Sequence, residues 1–265
     1  MVRLMASKVR LYVDHPLGEG QSVPLSREQA HYLFGVMRLG AGDVLSLING
    51  ADGAWDAEVV QAGKKGGVLV CQSQTALLQM PPDLWLMFAP IRKERMVFIV
   101  EKAVEMGAAR SMPVQTAYTQ SANRVRRDKL QAHAVEAAEQ CGGTFVPPVH
   151  DLAKLERVLA DWPDDRQLMF CDETLLGRSA ALPSVLAGPW AILIGPEGGF
   201  SPEERQILRS SDFAHAVSLG PRILRAEAAA EAAVPIWQPA LGDWQCARHL
   251  CCAFICSSPQ KMTAP

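Results

Sequence analysis

Ala191-Ile-Leu-Ile-Gly-Pro-Glu-Gly-Gly-Phe-Ser-Pro-Glu-Glu204 is the stretch whose reading decides the fold. The apolar run Ala191 to Ile194 predicts a short strand buried on both faces. It breaks into Gly195-Pro196-Glu197-Gly198-Gly199, where glycine permits backbone angles and close approaches that a Cβ forbids. A helix start follows at once, with Ser201 as cap, Pro202 at the first position and Glu204 completing a Ser-x-x-Glu capping box. Strand, Gly-rich loop and helix N-terminus form the local geometry in which α/β proteins hold ligands, because the loop lies at the carboxyl end of a strand. Further along, Ala216 to Leu219 reads as a second strand, Gly220-Pro221 as its break, and Arg222 to Glu227 as the opening of another helix. Either unit alone is compatible with an ordinary strand-to-helix turn.

Working outward, strands and helices alternate from Leu84 on. Leu84 to Ala89 is an apolar strand ended by Pro90, and Met96, Ile99, Val100, Ala103 and Val104 form a helical stripe closed by Gly107. The polar face of that helix carries Lys93, Glu94, Arg95, Glu101, Lys102 and Glu105, which ion pairs at helical spacing account for. Met112 to Val114 is a short strand, Gln115 to Asn123 a polar loop, and Arg127 to Cys141 a helix closing at Gly142-Gly143. A helix capped by Asp151 and a strand from Gln167 to Cys171, followed by Asp172-Glu173, complete the alternation. This order implies an α/β domain with a parallel sheet and helices on both faces.

Before the linker Gln79 to Asp83, with its consecutive prolines, the period is different. Val9, Leu11 and Val13 alternate with polar neighbours, and Ser26-x-x-Gln29 caps a helix through His31, Leu33, Phe34 and Met37. Turn signals then separate Val44 to Ile48, Trp55 to Val60 and Val68 to Cys71. Short, regularly spaced strands favour a small β-barrel over residues 1–78. The divisions expected are therefore 1–78, linker 79–83, an α/β domain over 84–245, and a tail at 246–265. The tail holds Cys246, His249, Cys251, Cys252 and Cys256, a spacing that matches no standard zinc finger, so no metal is assigned.

Composition narrows the classes. An apolar content of 49% excludes disorder, and no apolar run reaches membrane-spanning length, which points to a cytoplasmic protein without a membrane partner. Seven cysteines, an odd number, suit a reducing compartment. A formal charge of −2 gives no global nucleic-acid signal, but basic residues cluster at Arg3, Lys8 and Arg10, at Arg92, Lys93 and Arg95, and at Arg124, Arg126, Arg127 and Lys129. Gly195-x-x-Gly198-Gly199 has neither dinucleotide-binding spacing nor a phosphate-facing Lys, which argues against hydride and nucleotide-phosphate chemistry.

Taken together, LIGPEGGFSPEE (193–204) and LGPRILRAE (219–227) resemble the signature of the 16S ribosomal RNA (uracil-N3)-methyltransferase family, of the SPOUT class. The resemblance extends from near the N-terminus through Gly242-Asp243-Trp244. It implies an α/β, SPOUT-type knotted parallel-sheet domain preceded by a small PUA-like RNA-binding β-barrel. It also implies S-adenosyl-L-methionine as cofactor, 16S rRNA in the small ribosomal subunit as partner, and a homodimer pairing across Ala226 to Ala233. Cofactor binding falls on Ile194, Gly195, Pro196, Glu197, Gly198, Gly199, Leu219, Gly220, Ile223 and Leu224: apolar walls, and glycines that let main chain come close. Methyl transfer to N3 needs alignment and loss of the N3 proton; Glu197 and Arg225 are the candidates for orientation and charge, and the sequence does not assign the base. RNA contacts fall to Arg3, Arg10, Arg38, Arg124 and Arg126.

Two positions depart from the family pattern. Gly143 stands where Arg commonly follows EQCG, and Ala228 where Thr or Ser commonly follows RAE. The first would remove a contact at the RNA-facing edge, the second a hydroxyl near the knot. A catalytically weak RNA-binding or ribosome-assembly factor, or a methyltransferase for another RNA, are the competing readings.

Overall fold

The computed structural model describes residues 9–177 and 188–244. Arg3 and the Cys-rich tail lie outside the described residues.

The N-terminal sheet is built from β1 (Arg10–Tyr12), β2 (Ser22–Leu25), β3 (Val44–Ile48), β4 (Ala54–Gly63) and β5 (Gly66–Ala76), in the order β1-β3-β4-β5-β2. Register shifts between β4 and β5 at Ala54/Trp55, Asp56/Ala57 and Val59/Gln61 bend the ladder. All five strands thereby face one core that includes Leu11, Val23, Leu45, Leu47, Val59 and Leu69. Among the described residues no ladder joins the edge strands β1 and β2, so the curled sheet is not closed by hydrogen bonds there. The Ser26 capping box opens α1 (Arg27–Ala30) as expected, but the helix widens into a π-helical turn at His31–Val36. That turn ends at Val36 with Met37 as its cap, so Arg38 lies past the helix end, at φ 59°.

The second sheet is wholly parallel, in the order β11-β9-β10-β6-β7-β8. Its strands are β6 (Leu84–Phe88), β7 (Arg110–Gln115), β8 (Ala153–Lys154), β9 (Gln167–Cys171), β10 (Trp190–Ile194) and β11 (Ala214–Val217). In β10 every residue is buried, because alternate side chains enter different cores. Trp190, Ile192 and Ile194 pack with α2 (Lys93–Glu105), α3 (Arg127–Cys141) and α6 (Ala226–Leu241). Ala191 and Leu193 point the other way, to Leu155 of α4 (Leu155–Ala160) and Leu208 of α5 (Pro202–Ser210). Helices thus cover both faces. The strand expected at Ala216 to Leu219 is observed as β11 at Ala214–Val217, which leaves Ser218 and Leu219 in the loop, and two helix starts also differ from expectation. Lys154, not Asp151, precedes α4, because Ala153 and Lys154 are drawn into a ladder with Val114 and Gln115. Arg222–Arg225 is loop, and α6 begins only at Ala226.

The curled sheet docks on α3. Arg10 donates to the Gly143 carbonyl at 2.7 Å, the Tyr12 amide donates to Glu139 at 2.6 Å, and the Gln79 amide donates to the Thr144 hydroxyl at 2.8 Å. Gly142 ends α3 at φ 80°, in the left-handed region, whereas Gly143 is outside it. A Cβ at Gly142 would also lie 3.4 Å from the Arg10 guanidinium. Gly142→Ala is therefore expected to cost about 1 kcal/mol or more, and Gly143→Ala less than about 0.5 kcal/mol, as read by denaturant midpoints. Equal losses would mean that Gly143, too, is held by a backbone requirement. Gly143 borders a hollow with Gln79, Pro81, Gly107 and Ala108, near the first residues of β6. This is the sheet end opposite the Gly-rich loop, roughly 20 Å away along α2. An Arg at 143 would therefore lie outside this chain's own Gly-rich cleft.

Candidate active site

Beyond the carboxyl ends of β9, β10 and β11 three loops enclose a cleft of about 640 Å³, mouth included. Ile194, Gly195, Pro196, Glu197 and Gly199 line it from the loop after β10, and Leu219, Gly220, Ile223 and Leu224 from the loop after β11. These are nine of the ten positions expected to bind the cofactor. The tenth, Gly198, does not line this cleft; a side chain there would face Tyr118 instead, with Cβ atoms 3.5 Å apart. Sequence reasoning missed the third wall, formed by Cys171, Asp172, Glu173 and Leu176 after β9. It also missed Val217, Ser218, Arg222, Ala226 and Ala229. The acidic pair following an apolar strand was the available signal for the β9 loop.

Local chemistry explains why the loops converge. The Gly199 amide donates to the Pro196 carbonyl at 2.9 Å, closing a turn that needs φ 70° at Gly199. The capping box forms as expected, and Glu204 does a second job: one oxygen accepts from the Ser201 amide at 2.9 Å, the other from the Ala117 amide at 2.7 Å. That ties the loop after β10 to the loop after β7. Phe200 is buried beneath Gly195, where a Cβ would come within 3.2 Å of its ring. The Asp172 and Gly177 amides donate to the Val217 and Gly220 carbonyls at 3.1 and 3.3 Å, joining the β9 and β11 loops.

Asp172 anchors the missed wall. Its side chain is fully buried and accepts from the Thr174 amide (3.0 Å) and hydroxyl (2.8 Å) and from Arg209 (2.6 and 3.1 Å). Burial alone would push its carboxyl up, but the Thr174 and Arg209 hydrogen bonds outweigh it and hold the pKa below the ordinary aspartate range. Burial pushes the neighbouring Cys171 thiol up to about 12, so this cleft residue is not a nucleophile at neutral pH.

A second cavity, about 1230 Å³ with its mouth, adjoins the first across Pro196 and Glu197, which line both. Glu197 pairs with Arg95 of α2, and the same guanidinium reaches Glu227 of α6 at 3.3 Å. Arg95 thus braces the Gly-rich loop against the start of α6. Arg124 lines the second cavity, whereas Arg126 is exposed immediately before α3. Arg225, expected beside the reacting atoms, is exposed ahead of α6 and is absent from the lining of either cavity. Arg38 is exposed on the N-terminal sheet's side. Arg10 is half-buried and donates to the Gly143 carbonyl, so removing it would also disturb the docking of the N-terminal sheet on α3.

Residues 79–238 match the family described as RNA methyltransferase domain, and residues 25–70 that described as RNA methyltransferase PUA domain. Ribosomal RNA small subunit methyltransferase E of Rickettsia conorii is 27% identical, with 85% of this chain and 93% of that protein covered. The protein of the same name from Bacillus subtilis is 26% identical, covering 80% and 87%. Among solved structures, Ribosomal RNA small subunit methyltransferase E from Neisseria gonorrhoeae, bound to S-adenosyl methionine, superposes with a TM-score of 0.79 at 27% identity, covering 89% of this chain and 99% of that one. A Legionella pneumophila structure in complex with the bound cofactor SAM gives 0.77 at 27% identity, covering 89% and 98%. With its α/β domain matched over most of its length and a PUA domain matched ahead of it, the chain belongs to the RNA methyltransferase family.

Proposed function

We propose that this protein transfers a methyl group from S-adenosylmethionine to N3 of a uridine in 16S rRNA of the small ribosomal subunit. The observation that carries the reading is the convergence of Gly195–Gly199 and Leu219–Leu224, separate in sequence, on one cleft at the carboxyl ends of parallel strands. The relatives' names and the S-adenosyl methionine held by the Neisseria neighbour support it.

When bound, the cofactor supplies an electrophilic methyl group. Ile194, Leu219 and Leu224 offer apolar walls to an adenosine, and Gly195, Gly199 and Gly220 bring main-chain groups to its edge. Transfer forms a bond from N3 to carbon, breaks the sulfur–carbon bond and releases the N3 proton, leaving S-adenosylhomocysteine. Glu197, on the wall between the two cavities, takes that proton directly or through water, with Arg95 orienting its carboxylate. Arg225, at the outer edge, serves RNA attraction more readily than chemistry.

The remaining parts of the reading are a trefoil knot, a homodimer, the division into a barrel over 1–78, a linker at 79–83 and a methyltransferase domain over 84–245, and a cytoplasmic location. The links between the β9 and β11 loops, and the return of α6 across β10 and β6, are compatible with the knot. Ala226, Ala229, Ala230 and Ala233 are buried against this chain's own core, so the dimer rests on the resemblance. No helix among the described residues is long and apolar enough to cross a membrane.

Mass spectrometry of rRNA nucleosides from a deletion strain tests the function. N3-methyluridine is expected to vanish from 16S rRNA and to return when the wild-type gene is restored. Its loss from a different RNA would identify another substrate, and unchanged nucleosides with a small-subunit assembly defect would favour a non-catalytic factor.

A further inference from the structure

The Gly-rich loop has two sides, and the methyl donor needs only one. On the other side lies the cavity lined by Arg92, Tyr118, Arg124, Pro196, Glu197 and Gly198, together with polar backbone of the loop after β7. Arg92 and Arg124 are exposed, and their guanidinium groups have no hydrogen bond or ion pair among the described residues. The carboxylate on the shared wall, Glu197, is committed to Arg95 and does not cancel them.

Tyr118 is 47% exposed and is held out by a closed turn. The Thr116 amide donates to the Thr119 hydroxyl at 2.9 Å, the Thr119 amide to the Thr116 carbonyl at 3.1 Å, and the Ala117 amide to Glu204 at 2.7 Å. The ring is therefore presented by a rigid support, not by a free loop. An exposed aromatic ring and two unpaired guanidiniums lining one cavity are the chemistry that receives one nucleotide of a single strand: base on the ring, phosphates on the cations.

We infer that this cavity is the acceptor subsite, taking a uridine turned out of the RNA, with Tyr118 stacking on the base and Arg92 and Arg124 holding its flanking phosphates. The inference rests on the methyltransferase reading and adds to it the residues that select and place the substrate. N3 of a paired uridine is buried in its base pair, so the base has to leave the stack to react. The placement then follows from the shared wall: Pro196 and Glu197 line both cavities, so donor and acceptor would meet at the rim of one loop.

The test uses the full chain, S-adenosylhomocysteine and a single-stranded RNA carrying 5-iodouridine, irradiated and then digested for peptide mapping. A cross-link on the peptide containing Tyr118 is expected. In parallel, Arg92→Ala and Arg124→Ala are each expected to raise KM for small ribosomal subunits about tenfold or more, as for loss of a charge-assisted contact, with S-adenosylmethionine affinity unchanged. Tyr118→Ala should raise KM by about tenfold, and Tyr118→Phe should restore it, since stacking needs the ring and not the hydroxyl. Unchanged cofactor affinity also certifies that each variant is folded. Methyl transfer accompanied by cross-links elsewhere, or by unaltered KM in all three alanine variants, would overturn the subsite. A cross-link at Tyr118 without methyl transfer to any RNA would leave the nucleotide site standing and overturn the methyltransferase reading. Neither signal would overturn both.

Discussion

Gly199→Val is expected to weaken S-adenosylmethionine binding by at least about a hundredfold, near 3 kcal/mol, while the protein stays folded. Two costs combine. Gly199 sits at φ 70°, where a β-branched residue is strained by about 1–3 kcal/mol. Its Cβ would also overlap the carboxylate end of Glu173, which would have to swing away from its Arg205 partner (2.5 Å). Either the turn from Pro196 to Gly199 opens or Glu173 is displaced, and both deform the cofactor cleft. Gly198→Ala is the matched comparison. Its backbone is not left-handed and its Cβ would make ordinary contact with Tyr118 at 3.5 Å, so affinity should stay within about twofold. Isothermal titration with S-adenosylmethionine, paired with melting curves, reads both. Unaltered affinity in Gly199→Val would remove this loop from the site; equal losses in the two variants would mean that the glycines act as a pair.

That contrast shows what the sequence could and could not convey. Adjacent identical letters do not reveal that one glycine faces the cleft and the other faces Tyr118, because the difference is set by a single backbone angle. Elements governed by local pattern were legible to the residue: Val44–Ile48, Arg127–Cys141 and Gln167–Cys171 begin and end where apolar period and turn residues put them. The convergence of Gly195–Gly199 with Leu219–Leu224 was legible only through resemblance. Strand β2 escaped notice because Pro24 argues against a strand; the fold tolerates it at the sheet edge. Arg222 to Arg225 read as helix because Ile223 and Leu224 mimic an apolar stripe, yet Ile223 is 75% exposed at the cleft mouth.

Long-range partners were not legible at all. Arg10 looked like a basic surface residue, and its acceptor is a carbonyl 133 residues away. Arg95 looked like one charge among many on a polar helix face, and it braces two loops from different strands. In both cases the side chain's chemistry was readable and its address was not, since the address depends on how separate elements pack.

Replacing Asp172 is expected to produce the largest loss of stability: about 3 kcal/mol for Asp172→Ala, or roughly 6–12 °C in melting temperature for a chain of this size. The carboxylate is fully buried, and its removal leaves the Thr174 amide without an acceptor and Arg209 without its bidentate partner. Arg209 is 46% exposed and regains water, and Arg205 keeps Glu173, which holds the figure below that of a wholly enclosed pair. Asp172→Asn, which retains an oxygen for Thr174 but no charge for Arg209, should lose about half as much. The pH dependence carries a definite sign. The folded-state pKa lies below the unfolded one, so the stabilisation is complete above the ordinary carboxylate range and is lost as pH falls through the lower folded value. The gap in melting temperature between wild type and Asp172→Ala should therefore be widest near neutrality and narrow toward about pH 3. Melting curves across that range decide the matter: a gap that does not change with pH would show that Asp172 acts through shape and hydrogen bonding alone, and that its charge does not hold the third wall of the cleft.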